Sequence, residues 1–207
     1  MSYYTDEQLA AAAISSKVTA FISFVSSSYI TYDILKQRNA NRGGGRAQSS
    51  TDQYTTMHRI LLGISAMDLV ADAWFFVGTW AIPAGTSGVF DPRGNEATCT
   101  IQGFFLQSGL SIPVYQSSLA AYYYLCVCKS WKEDRQLKRY QCLFHAPPLI
   151  FAVATALYGA IDDQFNPSLL WCFFAGTDKS TALLFGTLAL DIVRCYGSVD
   201  GVDLSTS

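Results

Sequence analysis

The sequence predicts an all-α membrane protein, a polytopic transmembrane helix bundle with four to five spans. Half of its 207 residues are hydrophobic and only 14% are charged, whereas soluble domains have about 25% charged residues. Apolar stretches close to the length that crosses a bilayer alternate with polar segments. The charges gather in blocks between these stretches, which is a topology pattern. The net charge of −2 gives no indication of a nucleic-acid partner.

One membrane domain is expected over residues 10–195, between an acidic extracellular N-terminus, 1–9, and a polar tail, 196–207. The acidic start lacks the basic region of a signal peptide, so no cleaved leader is expected. The spans are predicted at about 14–35, 58–82, 98–128, 142–161 and 180–195.

The first and fifth spans are the shortest. The first reaches about twenty residues if Lys17 lies at the outer interface and Asp33 at the inner one; a helix inside a soluble protein is the alternative. The fifth has about sixteen residues and ends near an acid. It is either an incomplete helix or an interfacial segment, and a truncated helix is the preferred interpretation.

Lysine and arginine placement predicts the orientation. The stretch 36–56 is rich in glycine, serine and arginine and is predicted to be a flexible loop. Ten basic residues flank or fill the first and third loops, against Arg93 and Lys179 in the other two. The ten are Lys36, Arg38, Arg42, Arg46, Arg59, Lys129, Lys132, Arg135, Lys138 and Arg139. The positive-inside rule therefore places these two loops in the cytoplasm and the N-terminus outside.

Two acids interrupt the second span. Asp68 and Asp72 are four residues apart and share one helix face. A carboxylate at membrane depth costs at least about 2.5 kcal/mol, so it normally faces a bundle interior and marks a polar or functional site. Ser65, one turn before Asp68, and the third-span serines Ser108 and Ser111 are the expected neighbours of a possible ion site. A packing hydrogen bond worth about 0.6 kcal/mol is the alternative.

The third span has no charge, but it contains proline and several polar residues. Pro113 lies in its middle and is predicted to kink the helix and free a backbone carbonyl. The polar positions are predicted to pack against other helices or to line a cavity. They are Gln107, Ser108, Ser111, Gln116, Ser117 and Ser118.

The topology divides the six cysteines into two groups. Four lie near cytoplasmic ends, where thiols stay reduced: Cys126, Cys128, Cys142 and Cys195. Cys99 and Cys172 alone fall on the outer side, at the start of the third span and in the loop after the fourth. A disulfide between them is predicted, and a pair of unpaired buried thiols is the alternative.

These features together resemble the seven-transmembrane G-protein-coupled receptors, most closely the cyclic-AMP-receptor-like and secretin-like branches. The matching residues are ISAMDL with Asp68, Cys99 followed by TIQGFF, and LLWCFF with Cys172, along with basic inner loops. The resemblance covers roughly 10–174. Helices six and seven have no counterpart, so the resemblance implies a partial chain. Rhodopsin-type receptors have a D-R-Y triplet at the inner end of the third helix. In this sequence Tyr122-Tyr123-Tyr124-Leu125 occupies that region, which fits the cyclic-AMP-receptor-like and secretin-like branches better.

The resemblance implies a plasma-membrane receptor for an extracellular ligand. It also implies a cytoplasmic surface that couples to a heterotrimeric G protein through the first and third loops, formed by Lys129, Lys132, Arg135, Lys138 and Arg139. For Asp68 it implies a conformational switch that can hold sodium. A small transporter that uses intramembrane acids, or a scaffold protein, is the alternative function. The sequence contains no catalytic constellation, so an enzyme, a cofactor or a metal site is not expected.

Overall fold

The computed structural model describes residues 4–43, 56–130, 137 and 140–174, all within one compact unit, Met1–Phe174. The predictions for the fifth span, for the polar tail and for most of the third loop lie outside these residues. The described part is mainly helical and ends in a short two-stranded sheet.

In the described part of the chain, three helices are long and apolar enough to cross a membrane. Helix α1 (Asp6–Gly43) qualifies over Asp6–Asn39, and helix α2 (Thr56–Val77) qualifies together with the 3₁₀ turn Gly78–Ala81 that follows it. The third is the later helix Gln141–Ile161. The last two agree closely with the predicted spans 58–82 and 142–161, because a long uncharged or nearly uncharged run leaves little choice of boundary.

Helix α1 is longer at both ends than predicted, and this corrects the extent of the first loop. The residues from Lys36 to Gly43 are helical, not part of a flexible loop. Lysine, glutamine, arginine and alanine are good helix formers, and extending an existing helix needs no new nucleus. The first turns of α1 also take in Asp6 and Glu7, whose negative charges favour a helix N-terminus.

The predicted third span consists of two helices, α3 (Glu96–Ser108) and α4 (Ser111–Val127). Three backbone hydrogen bonds at the junction run from residue i to the carbonyl of residue i−3, the spacing of a 3₁₀ turn. They are Gly109 N to Leu106 O, Leu110 N to Gln107 O, and Ile112 N to Gly109 O, at 3.0–3.1 Å. Pro113 has no N–H to bond the Gly109 carbonyl, so the regular helical ladder cannot continue across this point. The predicted kink is therefore an interruption that lies just before the proline.

Both halves of this broken stretch pack against α2 and against α5 (Gln141–Ile161). The four helices form the centre of the bundle, whereas α1 packs mainly on α2. Large apolar side chains of α1 are exposed, including Phe21 and Ile22 at 56% and 59%. An exposed apolar face of this extent on a membrane-length helix fits contact with lipid.

A two-stranded antiparallel hairpin follows α5, with β1 (Phe165–Pro167) paired to β2 (Cys172–Phe174). Its buried Phe165 lies where α3 and α5 each present a glycine. A Cβ atom on Gly103 or on Gly159 would come within 2.5 Å of the Phe165 ring. The two glycines therefore open the space into which the hairpin inserts its aromatic side chain.

Candidate functional site

The predicted disulfide between Cys99 and Cys172 is present. It joins the first turn of α3 to the start of β2, and both cysteines are buried with Ile82. The bond closes a loop of 73 residues, which in the chain-entropy model stabilises the fold by about 4 kcal/mol. Within the described part of the chain, the cysteines near the predicted cytoplasmic ends form no disulfide: Cys126, Cys128 and Cys142.

Gln102 makes the second connection between α3 and the hairpin. Its side chain is fully buried. Its Oε1 accepts a hydrogen bond from the Cys172 N–H at 2.8 Å, and its Nε2 donates to the carbonyls of Trp74 and Gly78 at 3.1 and 2.9 Å. These carbonyls lie at the C-terminal end of α2, where the last residues have no partner within the helix. One side chain therefore links the end of α2, helix α3 and the hairpin.

The sequence pattern identifies six other polar positions of the third span but not Gln102. The spacing of three residues between Cys99 and Gln102 could have indicated its role. Three residues later on a helix, a side chain lies on the same face as the cysteine. A disulfide there brings another segment against that face, and a glutamine can then bond the segment's backbone.

The loop between α2 and α3 is fixed by main-chain bonds. Gly94 N donates to Ile82 O at 2.8 Å, and Ala84 N donates to Gly94 O at 2.9 Å. A Cβ atom at Gly94 would lie 2.2 Å from the Ala81 carbonyl oxygen, so only glycine fits this approach. Asn95 then caps α3 in a reciprocal pair of bonds with Thr98, which gives the helix a defined start.

Beside the disulfide lies a cavity of about 500 Å³, named the outer cavity after the predicted orientation of this end of the bundle. Its walls come from the loop after α2, from the first turn of α3 and from the hairpin. The polar and aromatic side chains that line it are Thr86, Glu96, Thr100, Asp163, Phe165 and Asn166. Its volume is within the range of small-molecule sites.

A cluster of charged and aromatic side chains joins α1 to the same end of the bundle. Lys17 Nζ lies 3.2 Å from the centre of the Trp80 ring, which is a cation–π contact. Trp80 Nε1 donates to Asp91 Oδ2 at 3.3 Å, and Arg93 pairs with the same carboxylate at 2.8 Å. The hydrogen bond from Arg93 holds the pKa of Asp91 below its ordinary value.

Asp68 and Asp72 lie on α2 and are both partly buried. Asp72 faces α1, where Ser23 contacts its carboxylate, and its Oδ2 is buried without a hydrogen-bond partner among the described residues. Within that part of the chain, Asp68 also makes no hydrogen bond or ion pair. The two acids are close enough to repel each other when both are ionised.

The three serines predicted beside these acids are not joined to them by hydrogen bonds in the described part of the chain. Ser108 donates to Phe105 O at 2.6 Å, within its own helix. Ser65 and Ser111 are buried, and the Ser111 hydroxyl has no partner among the described residues. Gln107, one turn before Ser111, is fully buried with both side-chain polar atoms unpaired there. Unpaired polar groups therefore gather at the junction of α3 and α4.

Of the predicted cytoplasmic surface, the structure describes Lys129, which is exposed after the end of α4. Lys132, Arg135, Lys138 and Arg139 lie outside the described residues. At the end of the bundle opposite the hairpin, Arg59 Nη1 on α2 donates a hydrogen bond to Gln141 Oε1 on α5, at 2.9 Å.

Comparison with protein-family models, with curated proteins and with solved structures finds no match to this chain. Function is therefore argued from the geometry above.

Proposed function

We propose that the protein is a receptor-like membrane protein that receives a ligand on its outer face and passes a signal to the cytoplasm. The observation that carries this proposal is the outer cavity. One of its walls is a hairpin held to α3 by a disulfide and by Gln102. A wall fixed in this way keeps a binding site preorganised, which lowers the entropy cost of binding.

The cytoplasmic half of the proposal rests on charge placement. Five basic residues between α4 and α5 form the proposed coupling surface: Lys129, Lys132, Arg135, Lys138 and Arg139. The positive-inside rule orients this loop and the first loop inward. The first loop precedes α2 and the third loop precedes α5, and the segments that follow these two helices line the outer cavity, so the same helices connect the two faces. A heterotrimeric G protein is the proposed partner.

Nucleotide exchange on purified G proteins tests this function. The full chain in lipid nanodiscs is expected to accelerate GTP-analogue uptake by at least one heterotrimer of a panel, relative to empty nanodiscs. Changing the five basic residues to glutamine should abolish most of this acceleration. Lys179→Gln, which removes a positive charge from a loop on the predicted outer side, is the matched control and should leave it unchanged.

Two results would overturn receptor-type coupling. One is exchange no faster than with empty nanodiscs for every heterotrimer, and the other is an equal loss with Lys179→Gln. A small transporter is then the second candidate, and it is favoured by the buried Asp72 Oδ2, which has no hydrogen-bond partner among the described residues. Its test is a cation or proton flux into liposomes that Asp72→Asn stops.

Asp68 belongs to the receptor proposal as a conformational switch. Asp68→Asn keeps the size and polarity of the side chain and removes its charge. If the charge acts as a switch, the variant should alter G-protein activation and its sodium sensitivity together. An unchanged response would assign Asp68 to helix packing alone.

A further inference from the structure

A second cavity, of about 300 Å³, lies between α1 and α2 and is distinct from the outer cavity. We call it the α1–α2 cavity. The side chains that matter for its chemistry are Ser16, Thr19 and Ser23 on α1, Asp72 and Phe75 on α2, and Trp171 at the tip of the hairpin. Ser16 precedes Lys17, whose ammonium group lies over Trp80. The cavity is thus in the same half of the bundle as the hairpin.

Among the described residues that line this cavity, Asp72 alone is charged. Its Oδ2 is buried and makes no hydrogen bond to the described part of the chain, while Ser23 approaches the carboxylate from α1. A partly buried carboxylate without a positive partner carries a desolvation cost. Asp68, one turn away, adds repulsion of the same sign. A cation in the cavity would remove both costs.

The aromatic side chains define what kind of cation fits. Phe75 and Trp171 meet edge to face, with ring centres 5.0 Å apart, on the cavity wall. Aromatic faces attract an ammonium group and also pack against an apolar body. The hydroxyl oxygens of Ser16 and Ser23 add acceptors that an N–H group can use.

The composition of the wall argues against a divalent metal. Such ions take several oxygen or nitrogen ligands. In the described part of the chain, no three histidine, cysteine or acidic side chains are grouped to hold one. The volume is also much larger than an ion needs and lies at the lower end of the range for small-molecule sites, roughly 300–1,000 Å³.

We propose that the α1–α2 cavity binds a small organic ammonium ion. Asp72 pairs with its charge, and Phe75 and Trp171 contact its apolar part. This site does not depend on the proposed receptor function, since a receptor, a transporter or a scaffold can each hold such a ligand.

Binding of 2-phenylethylammonium to the full chain in nanodiscs tests the proposal, measured by titration calorimetry and by the change in tryptophan fluorescence. Saturable binding is expected at micromolar to millimolar concentration. The neutral isostere 2-phenylethanol should bind about tenfold more weakly or worse, because it offers no charge to the carboxylate. Equal binding of the two probes, or no saturable binding of the ammonium, would overturn the proposal.

Three variants separate charge pairing from general effects. Asp72→Asn should weaken ammonium binding about tenfold or more, whereas Asp72→Glu, which keeps the charge, should retain most of it. Asp162→Asn removes an exposed acid on the hairpin side outside the cavity wall and should leave binding unchanged. If Asp72→Asn fails to fold, Trp171→Leu replaces it and should weaken the ammonium probe by several fold. Unchanged affinity in Asp72→Asn or in the folded substitute, or an equal loss in Asp162→Asn, contradicts the assignment.

Discussion

Replacing Gln102 by leucine should destabilise the protein far more than the same replacement at Gln107. Both glutamines lie on α3 and both are fully buried. Gln102 makes three hydrogen bonds to backbone groups, whereas Gln107 has no partner for either side-chain polar atom among the described residues. The two variants therefore make the same change at one position that loses hydrogen bonds and at another that loses none to the described residues.

The magnitudes follow from the bonds. Three bonds at about 1 kcal/mol each give a loss of about 3 kcal/mol for Gln102→Leu. Three at the lower value found between membrane helices, about 0.6 kcal/mol, give about 2 kcal/mol. The Cys172 N–H would also remain buried without an acceptor. Gln107→Leu removes two buried, unpaired polar atoms, so it should be neutral or stabilise the fold by about 1 kcal/mol.

Unfolding in mixed detergent micelles, followed by circular dichroism as the denaturing detergent fraction rises, measures both free energies. The two variants should differ by at least about 2 kcal/mol. Equal losses of unfolding free energy would refute the reasoning. They would show that the packing of the glutamine side chain, and not its hydrogen bonds, determines stability at these positions. A larger loss at Gln107 would refute it more strongly and would indicate partners that the described residues do not include.

The same measurement in a chain with Cys99→Ser and Cys172→Ser tests how the two connections to the hairpin cooperate. Without the disulfide, the hairpin can separate from α3, and the bond from the Cys172 N–H to Gln102 is then easier to lose. Gln102→Leu should therefore cost less in this background, by about 0.5–3 kcal/mol. Additive losses would mean that the hairpin stays in place without its disulfide.

Three further predictions concern topology, pH and packing. In a chain whose cysteines outside the disulfide are replaced by serine, an impermeant thiol reagent on intact cells should label Thr86→Cys and not Ala47→Cys; the reverse pattern would invert the proposed orientation. The folded-state pKa of Asp91 lies below its ordinary value of 3.8. The ionised Asp91 therefore stabilises the fold fully above pH 3.8, and this stabilisation is lost as the pH falls through the lower folded-state pKa. Wild-type stability should accordingly fall more steeply than that of Asp91→Asn below about pH 4, and parallel profiles would show that the Asp91 interactions contribute nothing. Gly103→Ala should lower the unfolding free energy by about 1–3 kcal/mol, since its new Cβ meets the Phe165 ring; Phe165→Leu in the same chain should recover part of that loss, and no recovery would place the clash elsewhere.

Sequence predicted those features that depend on long stretches or on simple sums. The second and fourth spans were predicted at 58–82 and 142–161, and the corresponding apolar segments are Thr56–Ala81 and Gln141–Ile161. The disulfide followed from counting charges in the loops and then asking which cysteines share a side. The two spans and the disulfide were each predicted from a property summed over many residues. A single unusual residue changes such a sum little.

The features that sequence did not predict depend on a few contacts between distant segments. The break at Gly109 and Leu110 lies three to four residues before Pro113, and the periodicity of the sequence cannot distinguish such a break from a kink. The hairpin has three residues in each strand, and one of them is Pro167, so it has no alternation to detect. Gln102 is one polar residue among many, and its three partners come together only when α2, α3 and the hairpin meet.

The hairpin connects the two cavities, and this gives the disulfide a role in both. Phe165 on β1 lines the outer cavity, and Trp171, next to Cys172, lines the α1–α2 cavity. Helix α1 is held mainly by α2, so its cavity depends on the hairpin tip for one aromatic wall. Reduction of the disulfide should consequently weaken 2-phenylethylammonium binding although Asp72 is untouched. If reduction leaves that affinity unchanged, the tip is positioned by its own contact with Phe75, and the two cavities are independent.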